Sequence, residues 1–285
     1  MWGAALVLVL MTPGGPLLAA PVGAGPPPPG SPPGATLAGP SAVSSHAAPR
    51  LWVLRAEPQS PAAPYVGVIG DSTGSQLAGA LADELRHRDV GVVIATVGGC
   101  QPTDVVLTFQ NLDYLRSHQN CVWEGPAKQR EMTSRYRPKV VVWSDIMEWS
   151  GIQAEDGRTI TAGTGEWQRR ILESWDRLLA RLGDAHLVLV LPSWWAGAPA
   201  GHPAAFPVDR QRVLFRSWAR RHADRVTVVD LTPVVCPGGP PCQQVVGGVR
   251  LRSDTVHYTP EGARRAGQKI INDVDGLRTL RGPSA

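Results

Sequence analysis

Tyr65-Val66-Gly67-Val68-Ile69-Gly70-Asp71-Ser72-Thr73-Gly74, with the segment 76–86 behind it, decides the architecture. Residues 65–69 form a short apolar run, and Gly70-Asp71-Ser72 ends it. Leu77, Ala80, Leu81 and Leu85 then recur at helical spacing. Strand followed by helix is therefore the unit, and it repeats. Residues 91–97, 139–143, 186–191 and 225–229 read as further strands. The helical patterns between them are clearest over 166–182, where Trp167, Ile171, Leu172, Trp175, Leu178, Leu179 and Leu182 share one face. A last helix is predicted from Thr259 or Pro260 to about Val274, with Thr259 as its cap, Pro260 in the first helical position and Glu261 in the first turn. Five apolar strands alternating with helices predict an α/β domain whose parallel sheet is covered on both faces.

Ligands of such sheets bind beyond the carboxyl ends of the strands, which sorts the polar residues by position. Ser72 follows the first strand and Gly98-Gly99 the second. Ser144, Asp145 and Glu148 follow the third, and Ser193-Trp194-Trp195 the fourth. Asp254 and His257 come after the fifth, just ahead of the last helix. All are expected on one rim.

A hydroxyl, an imidazole and a carboxylate are the groups that make serine a nucleophile near neutral pH. In Asp254-Thr255-Val256-His257 the three-residue offset lets Asp254 accept from the Nδ1 side of His257, leaving Nε2 for Ser72. Gly70-Asp71-Ser72-Thr73-Gly74 also fits the G-x-S-x-G elbow of α/β-hydrolases. The layout argues against that fold, because this serine follows the first strand and its acid and base sit on one loop. The plainer roles are a helix cap for Ser72, a surface histidine for His257, and structural bonds to loop amides for Asp71.

Outside this stretch the chain divides. Residues 4–11 are apolar, too short to span a bilayer and suited to a signal-peptide core, with small residues at Ala19-Ala20 and 22–24 for cleavage. No Lys or Arg precedes Arg50, so the usual basic start is missing and an apolar anchor is the other reading. Residues 21–49 hold nine of the 27 prolines and no charge, the composition of a semi-extended spacer. The organisation expected is a signal peptide or anchor over 1–24, a Pro/Gly/Ala-rich tether over 25–60, and one domain over 61–280, of a size that buries a substantial core. A net charge of +4 with interspersed signs offers no basic stripe for nucleic acid.

Four cysteines allow three pairings. Cys236 and Cys242 flank a turn-rich Pro/Gly loop, and Cys100 and Cys121 bracket a second excursion, so disulfides Cys100–Cys121 and Cys236–Cys242 are expected, in an oxidising compartment. Neither pair has the spacing of a structural zinc site.

These residues resemble the SGNH, or GDSL-type, hydrolase superfamily: Gly70-Asp71-Ser72 matches its first sequence block and Asp254-x-x-His257 its last. The stretch from Cys236-Pro237-Gly238-Gly239 through Gly248-Val249-Arg250-Leu251-Arg252-Ser253-Asp254-Thr255-Val256-His257-Tyr258-Thr259-Pro260-Glu261-Gly262 is similar to SGNH domains fused to membrane acyltransferases that modify bacterial surface polysaccharides. The resemblance spans about residues 65–274. It implies a three-layer α/β/α sandwich around a five-stranded parallel sheet. It also implies Ser72 as nucleophile, His257 as general base, Asp254 as its orienting partner, and Gly98 or Gly99 as an oxyanion donor beside the Ser72 N–H. The family's third donor is an asparagine, and this chain reads Val142-Trp143-Ser144-Asp145 there, leaving the Ser144 hydroxyl or a backbone N–H as a stand-in. Losing one such donor costs about 2.7–4 kcal/mol in the transition state.

The activity implied is ester hydrolysis or O-acyl transfer through an acyl-enzyme, on O-acyl groups, acetyl among them, of cell-envelope carbohydrate. The setting is secreted or extracytoplasmic, with a membrane acyltransferase as a partner, no metal or organic cofactor, and a monomer expected. Trp143, Trp149, Trp194 and Trp195 are candidates for stacking on sugar rings, with core packing as the alternative. The competing functions are a polysaccharide-binding pseudoenzyme with a degraded oxyanion hole, and a lipid esterase or thioesterase.

Overall fold

A computed structural model describes residues 52–53, 58–108, 112–146, 150–194 and 208–283, the backbone alone for 52–53 and 112–120. The expected leader over 1–24 and the tether as far as residue 51 lie outside the described residues. In chain order the elements are β1 (Trp52–Val53), β2 (Tyr65–Gly70), α1 (Ser72–Leu85), β3 (Gly91–Thr96), β4 (Leu107–Thr108), α2 (Leu112–Tyr136), β5 (Val140–Ser144), β6 (Gly151–Gln153), β7 (Thr159–Ile160) and α3 (Gly165–Arg181). They continue with β8 (His186–Val190), α4 (Val208–Arg221), β9 (Val226–Val229), α5 (Thr232–Val235), β10 (Val245–Val246), β11 (Val249–Arg250), α6 (Pro260–Asp273) and α7 (Asp275–Arg278).

The main sheet has the order β1-β3-β2-β5-β8-β9. Its five longer strands are parallel, as the alternation of strand and helix predicts, and β1 adds an antiparallel edge by pairing Trp52 with Ile94 and Val53 with Val93. This edge strand falls inside the stretch expected to be tether. A two-residue strand has no periodicity to read, and its pairing with β3 draws it into the domain.

Strand alternation divides the core between the two faces. Val66 and Val68 of β2, Val140 and Val142 of β5, and Val188 and Val190 of β8 pack with Leu77, Leu81 and Leu85 of α1 and Ala266, Ile270 and Ile271 of α6. Ile69, Val141, Trp143, Leu187 and Leu189 face the other way, against Met132 of α2, Trp175 and Leu178 of α3, and Phe215 and Trp218 of α4. The result is a three-layer α/β/α sandwich. Full burial of each large apolar side chain stabilises it by roughly 1.5–3 kcal/mol.

The chain enters the parallel array at β2, steps to β3 on one side, and returns across to β5 on the other. Strands β2 and β5 thus flank the point where the winding reverses, the place where open sheets of this kind leave a crevice. Ser72 follows one of these strands and Ser144 ends the other. A small antiparallel sheet, β4-β6-β7, sits on the connections that leave the same carboxyl-end rim.

Candidate active site

The turn that presents Ser72 is built by Gly70 and Asp71. Gly70 ends β2 at φ 130°, where a Cβ would stand 1.8 Å from the Ser144 carbonyl oxygen, so only glycine lets β2 and β5 approach this closely. Asp71 caps α1, accepting from Thr73 N–H at 2.8 Å and Thr73 Oγ1–H at 2.7 Å, and from Ile146 N–H at 3.4 Å. The cap is therefore Asp71, and Ser72 is released from that duty. Burial pushes the Asp71 carboxyl up, against the lowering pull of these bonds. As the first residue of α1, Ser72 has a backbone N–H with no intrahelical acceptor, at the helix end where anions are favoured.

Across 185 positions the Ser72 Oγ lies 2.9 Å from His257 Nε2. His257 sits in a loop closed by the pairing of Arg252 with Tyr258 and by the Ser253 N–H to His257 C=O bond at 2.9 Å. Asp254 organises that loop. Its Oδ1 accepts from Val256 N–H and His257 N–H at 2.7 Å each, and its Oδ2 lies 2.7 Å from His257 Nδ1. Partial burial works to raise the Asp254 carboxyl, but the bonds from the His257 N–H and ring and from the Val256 N–H outweigh it and hold the pKa at about 2. An ionised carboxylate only accepts, so Nδ1 of the neutral ring carries the proton and Nε2 offers its lone pair to the Ser72 hydroxyl.

Gly98 and Gly99 follow β3, and their turn is tied to the end of β2 just before Ser72. Val97 N–H donates to Gly70 C=O at 3.0 Å, and Cys100 N–H to Val97 C=O at 3.1 Å, closing a turn with Gly99 at φ 69°. Gly98 is exposed, with nothing within 4 Å of where a Cβ would stand. The Cys100–Cys121 disulfide fastens this turn to α2, and Cys236–Cys242 closes the loop after α5. The rest of the β3–β4 connection is tied to α3 by Asp104, which pairs with Arg177 at 2.8 Å and Arg181 at 2.9 Å.

Two expectations are corrected. Trp143 does not reach the rim: it is fully buried, with Trp175, Phe215 and Trp218 around it at centroid distances of 5.8, 5.1 and 6.2 Å, because residue 143 shares the inward face of β5 with Val141. Ser144 is buried too, and its hydroxyl lies 3.3 Å from Thr73 Oγ1. Since Thr73 Oγ1 gives its proton to Asp71, the Ser144 proton goes to Thr73 rather than to an oxyanion. Asp145 is also buried. Trp194 is half-buried, its ring covered by the Arg212 guanidinium at 4.6 Å. Glu148, Trp149 and Trp195 lie outside the described residues.

Two side chains that sequence reading passed over hold the histidine loop. Gln76 of α1 accepts from Tyr258 N–H at 2.8 Å and donates to Tyr258 C=O at 3.1 Å. Arg252, buried beneath the loop, donates to Val256 C=O and Ser193 Oγ and lies over the Tyr258 ring. A glutamine one helical turn beyond Ser72 was the available signal for the first. Nothing in the spacing of Arg252 marked the second. Among the described residues no cluster of His, Cys, Asp and Glu suits a metal ion, and no helix is long and apolar enough to cross a membrane.

The sequence pattern of the family described as SGNH domain (fused to AT3 domains) matches residues 43–272. No curated protein matches the chain. Among solved structures, the periplasmic domain of a lipopolysaccharide acetyltransferase from Salmonella ser. Paratyphi A superposes with a TM-score of 0.51 at 14% identity, covering 74% of this chain and 83% of that one. The C-terminal catalytic domain of Streptococcus pneumoniae peptidoglycan O-acetyltransferase A gives 0.41 at 16%, over 77% and 97%. A lipase/acylhydrolase from Enterococcus faecalis gives 0.46 at 15%, over 75% and 96%. At 14% identity the likeness to the first of these is one of fold.

Proposed function

We propose that this chain, which belongs to the SGNH domain family (fused to AT3 domains), uses Ser72, His257 and Asp254 to hydrolyse or transfer O-acyl groups, acetyl foremost, on cell-envelope carbohydrate. An ester-acting enzyme is the class that family and fold give. The observation that carries the finer reading is the continuous path from Ser72 Oγ to His257 Nε2 at 2.9 Å and from Nδ1 to Asp254 at 2.7 Å.

In this scheme Ser72 Oγ attacks the ester carbonyl carbon while His257 Nε2 takes its proton. The tetrahedral oxyanion collapses, the carbon–oxygen bond to the sugar breaks, and the imidazolium returns the proton to the departing hydroxyl. Water, or a second hydroxyl, then attacks the acyl-Ser72 ester by the same path in reverse. Asp254 holds the ring in the productive tautomer and stabilises the imidazolium. The N–H groups of Ser72 and of Gly98 or Gly99 are the oxyanion donors, and with Ser144 turned toward Thr73 the hole is short by one side-chain donor. That lowers the rate without abolishing turnover, on the scale of about 2.7–4 kcal/mol per donor.

Two disulfides and fusion of the family's members to AT3 domains support an extracytoplasmic setting with a membrane acyltransferase as partner. Among the described residues, Trp194 is the candidate left to stack on sugar. The test is acetate release from p-nitrophenyl acetate and from an acetylated glycan, with Ser72→Ala as control. Turnover lost in the variant supports the proposal. Glycan binding without turnover in the native chain favours a binding protein with a degraded oxyanion hole, and preference for long acyl chains favours a lipid esterase.

A further inference from the structure

A base carried on a loop is only as well placed as the backbone on either side of it, and here both flanks of His257 are held. On one side Arg252 donates to Val256 C=O and ties the loop to Ser193, beyond the end of β8. On the other side both polar atoms of Tyr258 are taken by a single side chain, the Gln76 amide, whose Oε1 accepts at 2.8 Å and whose Nε2 donates at 3.1 Å across 182 positions. Gln76 lies four residues after Ser72 on α1, hence on the same helix face, about 6 Å along the axis. One rigid element therefore carries the nucleophile proposed above and grips the residue next to its base.

We propose that Gln76 is a positioning residue that sets the Ser72–His257 separation. The inference rests on the assignment of Ser72 and His257 to catalysis. Glutamine suits the task because its amide presents a donor and an acceptor side by side, the complement of a peptide's own N–H and C=O. Asparagine is one methylene short of the same reach. A carboxylate keeps the acceptor, but sets a negative oxygen against the Tyr258 carbonyl. Methionine matches the length and offers neither bond. Because the hydrogen bonds of the Gln76 amide go to backbone next to His257, its loss is expected to act on the chemical step and leave substrate binding alone.

The experiment compares Gln76→Met and Gln76→Glu with the native chain on p-nitrophenyl acetate, counting active sites by the burst of p-nitrophenol. Each rate is then expressed per functional Ser72. A reactive sulfonyl fluoride gives a second readout of Ser72 nucleophilicity that needs no substrate site. The expected result is kcat per titrated site roughly 10- to 100-fold lower in Gln76→Met, with KM within about twofold, a parallel loss of sulfonylation rate, and a smaller loss in Gln76→Glu. Equal kcat per site in the native chain and the variants would overturn the proposal. So would a loss that falls entirely on KM. Should Gln76→Met not fold, Gln76→Glu alone decides by the same criteria. Ser72→Ala separates the two layers of inference: if it abolishes the burst while the Gln76 variants match the native chain, only the positioning role fails, whereas a burst that survives in Ser72→Ala removes the catalytic assignment itself.

Discussion

At the scale of single residues, the site depends on which atoms are free to accept and which are already engaged. Asp254 is ionised down to a pKa of about 2, so its hold on the ring and on two loop amides is present throughout the carboxylate range and is lost only as pH falls toward that value. Asp254→Asn, which leaves the ring free to take the other tautomer, is expected to cut kcat by roughly 10³- to 10⁴-fold with little change in KM, measured on p-nitrophenyl acetate. Asp71 carries the opposite shift. Burial raises its pKa, so the folded chain binds that proton more tightly than the unfolded chain. Stability falls as pH rises from the ordinary carboxylate range toward the raised value and levels off above it. Asp71→Asn lacks this contribution, so the Tm of the variant relative to the native chain is expected to rise between about pH 4 and about pH 7. Thermal unfolding at the two pH values checks it.

Trp143 teaches what a sequence reveals about a residue. Its place next to a rim motif suggested sugar stacking, yet a strand in a parallel sheet is buried on both faces up to its last residue. That rule, already used to predict the fold, makes residue 143 a core position on the face of Val141. Trp143→Ala is therefore expected to destabilise the chain by about 3–5 kcal/mol, seen in denaturant unfolding, with KM for glycan unchanged where the variant stays folded. That Ser72 meets the Asp254–His257 pair was legible because a hydroxyl, an imidazole and a carboxylate show their hydrogen-bonding capacity in their identity and order. The Ser144 hydroxyl was not, because its direction is set by Thr73 and Asp71, a network visible only once β2 and β5 lie side by side.

Among elements, legibility followed length. The five parallel strands, α3 and α6 lie within two residues of where apolar spacing places them, and Thr259 caps α6 through its hydroxyl to Gly262 N–H at 3.1 Å. Helix α1 begins at Ser72 rather than at residue 76, since Ser-Thr-Gly-Ser is a poor helical sequence that the Asp71 cap rescues. Helix α2 carries Pro126 inside it, which interrupts the apolar periodicity that marks a helix. Strands β4, β6 and β7, of two or three residues each, have no period at all. One connection among these elements bears on chemistry: the Cys100–Cys121 disulfide fastens the Gly98-Gly99 turn to α2 and spans 21 positions. Replacing both cysteines by serine is expected to remove about 3 kcal/mol of stability and to lower kcat more than it raises KM, because the freed turn carries the proposed oxyanion donor. Unfolding and initial rates of the double variant, against the native chain with and without reductant, test both halves.

In the molecule as a whole, the sheet order explains why residues so far apart in sequence share one site. The chain places β2 at the centre, reverses direction between β2 and β5, and brings the loop before α6 back over the same rim. Direct contact between α1 and α6 then closes the distance: Ser72 leads one helix and the other follows directly on the histidine loop. The arrangement is worth nothing chemically unless Ser72 becomes acylated. The most direct measurement is the intact mass, followed by peptide mapping, after brief exposure of the native chain to p-nitrophenyl acetate and an acid quench. The expected result is the added mass of one acetyl group on the peptide containing Ser72, absent in Ser72→Ala and greatly reduced in His257→Ala. Release of acetate by the native chain with no adduct on Ser72, or an adduct that persists in Ser72→Ala, would contradict the account.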